Sequence, residues 1–137
     1  VKMKLNPLKS VIKDKTVVLV DDSIVRGNTS RKIVSLLKES GAKAVHMRVS
    51  SPPIVYPCFY GIDTDTQTQL IAAQKTVAEI KEFIGADSLV YLSYEGLVKA
   101  SGCPKENFCL ACLDGVYPIP VSDKLLLGKL ALEKTKV

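Results

Sequence analysis

Apolar and polar residues follow two different periods in the first part of the chain. Val17 to Val20 form an unbroken apolar, mostly β-branched run, which predicts a strand buried on both faces of a parallel sheet. From Ser30 to Ser40 the apolar residues fall on one helical face, and Gly41 follows as a stop signal. Ala44 to Val49 is then a second predicted strand. Because the connections are short, these elements are expected to form a strand–helix–strand unit with parallel pairing.

The remainder of the chain predicts shorter elements. Prolines between Ser50 and Gly61 interrupt strand pairing, so this stretch is expected to run irregularly over the rim of a site. Ser88 to Leu92 is predicted to be a short strand and Ser93 to Ala100 a helix. No internal repeat, low-complexity tract or linker divides the sequence, so we expect one α/β domain with a parallel-sheet core and flanking helices.

Two short helices are predicted before the third strand. Thr66 with Gln69, and Thr76 with Glu79, have the spacing of a capping box, in which each side chain bonds the backbone N–H of the other residue. Gly85 is a fitting end for the second helix. The apolar face of that second helix would consist of Val77, Ile80, Phe83 and Ile84.

Polar residues with recognisable chemistry follow the first strand. Asp21 and Asp22 come where the strand ends, in the crevice where open α/β sheets bind ligands. Carboxylates at this position accept hydrogen bonds from sugar hydroxyls or hold Mg²⁺. The sequence from Arg26 to Ser30, R-G-N-T-S, then leads into a helix N-terminus, where backbone N–H groups and the helix dipole favour a phosphate. A ligand with a ribose and a phosphate fits this arrangement, with the ribose at the acids and the phosphate at the turn.

A plainer interpretation is that the two acids only cap a turn and that Gly27 only supplies a left-handed residue. The combination of a buried strand, paired acids and a glycine-bearing turn that opens a helix favours the binding site. His46 is the only histidine and lies on the second strand beside Arg48. A lone histidine on a strand is more often a surface or satisfied residue than a catalyst.

Composition excludes several classes of function. The chain has 137 residues, 47% of them hydrophobic, which suits one soluble domain with its own core. No apolar run approaches the length of a membrane span and no signal peptide is evident, so a cytoplasmic protein without a membrane partner is expected. The net charge is +5, but the lysines are dispersed and no aromatic residues interleave with them. Nucleic acid is therefore not expected as a partner.

Four cysteines indicate ligands or inert thiols more than disulfides in such a protein. Cys109 and Cys112 form a C-x-x-C pair that can bind one metal, and Cys58 and Cys103 are the other donors in the chain. A zinc site, an iron–sulfur cluster, a redox dithiol and unliganded thiols all remain open from spacing alone.

The stretch Val17 to Thr29 resembles the thirteen-residue phosphoribosyl-pyrophosphate (PRPP) signature of type I phosphoribosyltransferases. Its core, D-D-S-I-V-R-G-N-T-S, is similar to the version in the amidophosphoribosyltransferase family, glutamine-dependent enzymes of the first step of purine synthesis. Most of the chain shares the resemblance. The other similar segments are V-S-S-P-P-I (49–54), P-C-F-Y-G-I-D (57–63), L-I-A-A (70–73), I-G-A-D-S-L (84–89), S-Y-E-G-L (93–97) and C-L-A-C (109–112).

The resemblance implies a partial type I phosphoribosyltransferase fold, with residues 1–137 as the C-terminal portion of the transferase domain. The glutaminase domain and the upstream half of the transferase domain would lie outside this chain. It also implies a homotetramer with purine nucleotides as inhibitors. In the implied reaction, ammonia from glutamine displaces pyrophosphate from PRPP to give phosphoribosylamine, and the chain by itself is expected to be inactive.

The resemblance also implies roles for individual residues. Asp21 and Asp22 would be the catalytic acids, binding the ribose hydroxyls and Mg²⁺. The PRPP ribose and 5′-phosphate would be bound by Asp21, Asp22, Ser23, Arg26, Gly27, Asn28, Thr29 and Ser30. In one branch of the family a four-iron, four-sulfur cluster has ligands that correspond to Cys58, Cys109 and Cys112, with a fourth cysteine upstream. Cys103 matches no ligand position.

Two other classes of protein share part of this pattern. A PRPP-binding regulatory module keeps the signature without turnover, but C-L-A-C and P-C-F-Y-G-I-D have no reason to accompany it. A phospho-acceptor receiver domain also places paired acids after a buried strand. It would leave the G-N-T-S turn unexplained and would need an acceptor Asp after a later strand.

Overall fold

The computed structural model describes residues 6–62, 64 and 66–121. Its core is a three-stranded parallel sheet in the order β1-β2-β3, formed by Thr16–Asp21, Ala44–Val49 and Ser88–Tyr91. The helices are α1 (Lys9–Ile12), α2 (Asn28–Glu39), α3 (Ile71–Gln74), α4 (Val77–Ile84), α5 (Tyr94–Ser101) and α6 (Ala111–Asp114), with short 3₁₀ turns at Gln67–Gln69 and Lys105–Asn107. The predicted α/β architecture and the parallel pairing are confirmed. No helix in these ranges is long and apolar enough to cross a membrane.

One face of the sheet forms the core. Leu19, Met47 and Leu89 are register partners across the three strands. Met47 is fully buried, and α2 and α4 pack over this face with Val34, Ile80 and Ile84 in the same hydrophobic cluster. Burial of these aliphatic side chains is the main force that holds the two helices to the sheet.

The opposite face of the sheet is open, so the prediction that the first strand is buried on both faces was wrong. Val18 and Val20 are 59% and 68% exposed, because the described helices that pack on the sheet, α2 and α4, lie on the other face. The histidine on this open face is satisfied, as its position on a strand indicated. His46 Nδ1 lies 2.8 Å from Ser88 Oγ, and Arg48 donates to the same oxygen at 3.0 Å.

The helix caps confirm one prediction and contradict another. Thr76 and Glu79 form the predicted capping box at the start of α4, and Gly85 ends that helix in the left-handed conformation. Thr66 makes no capping bond, because residues 67–69 form a 3₁₀ turn rather than the first turn of an α-helix. Val77 is 42% exposed, so the apolar face of α4 is narrower than predicted.

The carboxylate of Asp87, an exposed residue directly before β3, is bonded to the central strand β2. Its Oδ2 accepts the Val45 N–H at 2.7 Å and lies 3.3 Å from Lys38 Nζ on α2. The hydrogen bond from the Val45 N–H and the neighbouring Lys38 ammonium hold the pKa of Asp87 below its ordinary value. Stability from this group is therefore fully present above the unfolded pKa of about 3.9 and is lost as pH falls through the lower folded pKa.

We expect Asp87→Asn to reduce the free energy of unfolding by about 1 kcal/mol at pH 7, a low value for a charge-assisted bond because the carboxylate is 40% exposed. The loss should shrink towards pH 3, where the wild-type carboxylate is also becoming protonated. Thermal unfolding at both pH values measures this, with Glu82→Gln as an exposed control on α4. An equal loss at pH 7 and pH 3 would contradict the role of the charge.

Candidate functional site

A cleft of about 580 Å³ opens at the carboxyl end of β1, where the chain turns into α2. All eight residues predicted to bind the sugar phosphate line it, and the structure therefore brings the predicted set together. The lining residues are Asp21, Asp22, Ser23, Ile24, Val25, Arg26, Gly27, Asn28, Thr29, Ser30, Ile62 and Thr64.

The two acids occupy the sheet side of the cleft. The Asp22 N–H donates to Asp21 Oδ1 at 3.1 Å, and Ser23 Oγ donates to Asp22 Oδ1 at 3.1 Å. The Asp21 carbonyl accepts both the N–H and the hydroxyl of Ser50, at 2.9 and 3.1 Å, which holds the end of β1 to the residue that follows β2. Each carboxylate keeps further lone pairs towards the cleft, enough to accept from two hydroxyls.

This donor set also fits a magnesium ion. Mg²⁺ takes oxygen ligands and is commonly held by one or two carboxylates together with the phosphates of a substrate. Among the described residues, no group of three or more His, Cys, Asp or Glu side chains is placed to hold an ion. Asp21 and Asp22 would therefore hold Mg²⁺ jointly with a bound ligand rather than in a protein cage.

The helix side of the cleft presents backbone donors. Gly27 has a left-handed conformation, with φ of 76°, and is the N-terminal cap of α2. Across residues 6–62, 64 and 66–121, the N–H groups of Gly27, Asn28, Thr29 and Ser30 have no hydrogen-bond acceptor. Asn28 and Thr29 are exposed, whereas Ser30 is only 3% exposed. Four free amides at a helix N-terminus are a suitable site for a phosphate.

A segment from the middle of the chain supports this turn and was missed by the sequence analysis. Gln69 Oε1 accepts a hydrogen bond from Arg26 Nη2, and the Ile71 N–H donates to the Val25 carbonyl at 2.9 Å. Ile62 and Thr64 also line the cleft. The proline-containing stretch, residues 50–61, was expected at the rim of the site. The cleft is instead lined by Ile62 and Thr64, which follow that stretch. No local pattern marks these residues, because their partners are far away in sequence.

Three of the four cysteines form a group. Burial raises the pKa of the Cys112 thiol above its ordinary value, and the nearby Cys58 and Cys109 sulfurs raise it further. The Tyr60 N–H donates to Cys58 Sγ at 3.4 Å. Burial raises the pKa of Tyr117 as well, with the Cys58 and Cys112 sulfurs adding to it.

The donor chemistry of this group fits a thiolate-held cofactor. The three sulfurs do not converge on one ion position in the part of the chain that the structure describes. Thiolates are ligands of both zinc ions and iron–sulfur clusters, and either group would need a fourth ligand in addition to these three. Cys103 is exposed, and Asp63, the last residue of the P-C-F-Y-G-I-D motif, lies outside the described residues.

Known proteins that resemble this chain match it over the segment that forms the cleft. Residues 2–51, which contain β1, the turn, α2 and β2, match the family model described as a phosphoribosyl transferase domain. The glutamine PRPP amidotransferase from B. subtilis, solved in complex with ADP and GMP, is similar with a TM-score of 0.80 at 48% identity over 89% of this chain and 29% of that one. The fold is therefore that of the type I phosphoribosyltransferases.

The curated relatives narrow the class to one family. An amidophosphoribosyltransferase of Synechocystis sp. is 60% identical over 97% of this chain and 27% of its own length. One from Methanocaldococcus jannaschii is 54% identical over 94% of this chain and 27% of its own length. The chain thus spans about a quarter of the relatives it matches. It belongs to the amidophosphoribosyltransferase family.

Substitution of Gly27 tests how tightly the turn is packed. An added Cβ would lie 3.0 Å from both Ile71 Cδ1 and Phe83 Cε1. Gly85 has nearly the same φ, 75° against 76°, but a Cβ there would meet open space. We expect Gly85→Ala to cost about 1 kcal/mol from backbone strain alone. Gly27→Ala should cost about 1–3 kcal/mol more because of the added contacts. Thermal unfolding of both variants measures the difference, and equal losses would show that packing at Gly27 is loose.

Proposed function

We propose that the protein containing this chain transfers the phosphoribosyl group of PRPP to ammonia derived from glutamine, and that this segment binds the ribose 5-phosphate part of PRPP. The observation that supports this most directly is the pairing of two carboxylates with four free amides in one cleft. The acids match the hydroxyls of the ribose, and the amides match its phosphate.

In the proposed reaction the nitrogen lone pair of ammonia attacks C1 of the ribose. The bond from C1 to the pyrophosphate oxygen breaks, pyrophosphate leaves with the bonding electrons, and the new ammonium group loses a proton to water. Positive charge develops on the ribose ring as that bond lengthens. Asp21 and Asp22 line the cleft and would lie beside the ring, where they would stabilise this charge, because preorganised negative groups act most strongly in the transition state.

The turn would contribute mainly by positioning. Its amides and the Thr29 hydroxyl would hold the 5′-phosphate, so that C1 stays in line with the incoming nucleophile. Ser30 would contribute its amide, which has no acceptor among the described residues. Asp21 and Asp22 would also hold Mg²⁺, which when bound neutralises charge on the departing pyrophosphate.

Cys58, Cys109 and Cys112 would hold a four-iron, four-sulfur cluster, with a fourth thiolate from another part of the protein. When bound, such a cluster links the loop at Cys58 to the C-L-A-C segment. The grouping of these three sulfurs and the amide directed at Cys58 Sγ support this assignment.

The remaining partners follow from the family. We propose that the whole protein includes a glutaminase domain and the upstream half of the transferase domain, works in the cytoplasm, assembles as a homotetramer and is inhibited by purine nucleotides. Support for the last point is the similar B. subtilis amidotransferase, which was solved with ADP and GMP. This chain, residues 1–137, would be the C-terminal portion of the transferase domain.

Replacing the acids tests the central role. In the full-length protein, Asp21→Asn and Asp22→Asn should each weaken Mg²⁺-dependent PRPP binding by at least about tenfold, since each removes a charge-assisted acceptor for the ribose. Phosphoribosylamine formation should fall further because the transition state is more positive than the substrate. Titration calorimetry and initial rates measure the two effects.

Asp14→Asn is the matched control, an exposed acid outside the cleft. Unchanged PRPP affinity in both cleft variants would remove the role assigned to the acids. Wild-type protein that binds PRPP but makes no phosphoribosylamine would indicate the regulatory module instead.

Metal analysis tests the cysteine assignment. Full-length protein purified without oxygen should contain iron and inorganic sulfide in equal amounts, and its Cys112→Ser variant should lose both. Cys103→Ser should retain them, because Cys103 lies outside the group of three. Zinc in place of iron, or equal loss in both variants, would contradict the assignment.

A further inference from the structure

The side chain of Arg26 is held by a neutral partner from a distant part of the chain. Arg26 lines the cleft and donates from Nη2 to Gln69 Oε1. The two residues are 43 positions apart and both are exposed. A glutamine amide can orient a guanidinium without neutralising its charge, unlike a carboxylate. The other guanidinium N–H groups remain available to an anion in the cleft.

The backbone on either side of Gln69 is fixed, so the acceptor itself has a defined position. Leu70 is fully buried and Ile71 is 7% exposed. The Ile71 N–H bonds the Val25 carbonyl, one residue before Arg26. On the other side, Gln67 Nε2 donates to the Val55 carbonyl at 3.0 Å.

The same segment also packs against the residue that follows Arg26. Ile71 Cδ1 and the Phe83 ring lie where a side chain on Gly27 would be. Residues 69–71 therefore contact three consecutive positions of the turn: Val25 through a backbone bond, Arg26 through Gln69, and Gly27 through Ile71. Such support around a binding residue is what keeps its rotamer defined before the ligand arrives.

We propose that Gln69 is a positioning residue that holds the Arg26 guanidinium over the cleft, so that Arg26 contributes to binding a phosphate of the phosphoribosyl substrate. This rests on the proposed function. An exposed arginine has large rotamer freedom, and a partner that already restricts it lowers the entropy lost when an anion binds. Because the 5′-phosphate, which this segment is proposed to bind, is not part of the leaving group, the effect belongs to substrate binding more than to the chemical step.

Three glutamine variants of the full-length protein separate orientation from general support. Gln69→Met keeps the length of the side chain but removes the acceptor, and should raise KM for PRPP about five- to tenfold with kcat within about twofold. Gln69→Glu keeps an acceptor at the same distance but neutralises the guanidinium, so it should keep Arg26 oriented without restoring the affinity. Gln67→Met removes the bond to Val55 but leaves Leu70 buried and Ile71 bonded to Val25, so KM should rise by less than about twofold.

A double variant tests whether the effect passes through Arg26. If it does, Arg26→Lys with Gln69→Met should be no worse than Arg26→Lys alone, since the energies of residues that act as a unit do not add. Additive losses would overturn the proposal, as would an unchanged KM in Gln69→Met or an equal rise in Gln67→Met.

Nuclear magnetic resonance of ¹⁵N-arginine-labelled protein gives a readout that needs no substrate. The Arg26 guanidinium signals, assigned by their loss in Arg26→Lys, should show slow rotation in wild type and fast rotation in Gln69→Met. Fast rotation in wild type would overturn the positioning role. Slow rotation in a protein that neither binds PRPP nor forms phosphoribosylamine would overturn the proposed function while leaving the Gln69–Arg26 contact established.

Discussion

The geometry of the cleft depends on one buried side chain in the middle of a polar connection. Ile24 is 2% exposed and belongs to the hydrophobic core, although Asp22 and Ser23 precede it and Arg26 follows two residues later. Burying an isoleucine contributes about 2 kcal/mol. Because Ile24 must point into the core, the acids before it and the donors after it are left facing the same open space. The connection between β1 and α2 is therefore a defined surface rather than a flexible loop.

Two further contacts restrict that connection at its ends. At the start, the Asp21 carbonyl accepts two hydrogen bonds from Ser50. At the end, Gly27 is pressed against Ile71 and Phe83, and Arg31 lies over the Phe83 ring at 5.3 Å. The left-handed conformation of Gly27 lets α2 begin with its amides directed at the cleft. The proposed phosphate site would thus need few side-chain charges, because backbone dipoles would supply much of the field.

The cleft and the cysteine group are parts of one continuous structure. The Cys58 N–H donates to the Thr64 carbonyl at 3.0 Å and lies 3.2 Å from its Oγ1, and Thr64 itself lines the cleft. Thr64 is 6% exposed, so its position is determined by packing as well as by these bonds. The polypeptide between the two sites is short, and a displacement of Cys58 would therefore reach the wall of the cleft through a single residue.

The sequence by itself determined the features that depend on neighbouring residues. The run from Val17 to Val20, the period of α2 and the Thr76 capping box each stabilise a local conformation, and the D-D and G-N-T-S groups flank a turn that is only a few residues long. Only the tertiary structure decided which face of β1 is covered, that Thr66 caps no helix, and that Gln69 meets Arg26. Those outcomes depend on packing between segments tens of residues apart. The spacing of neighbouring residues determines the hydrogen bonds within a turn. It does not determine which distant side chain packs against that turn.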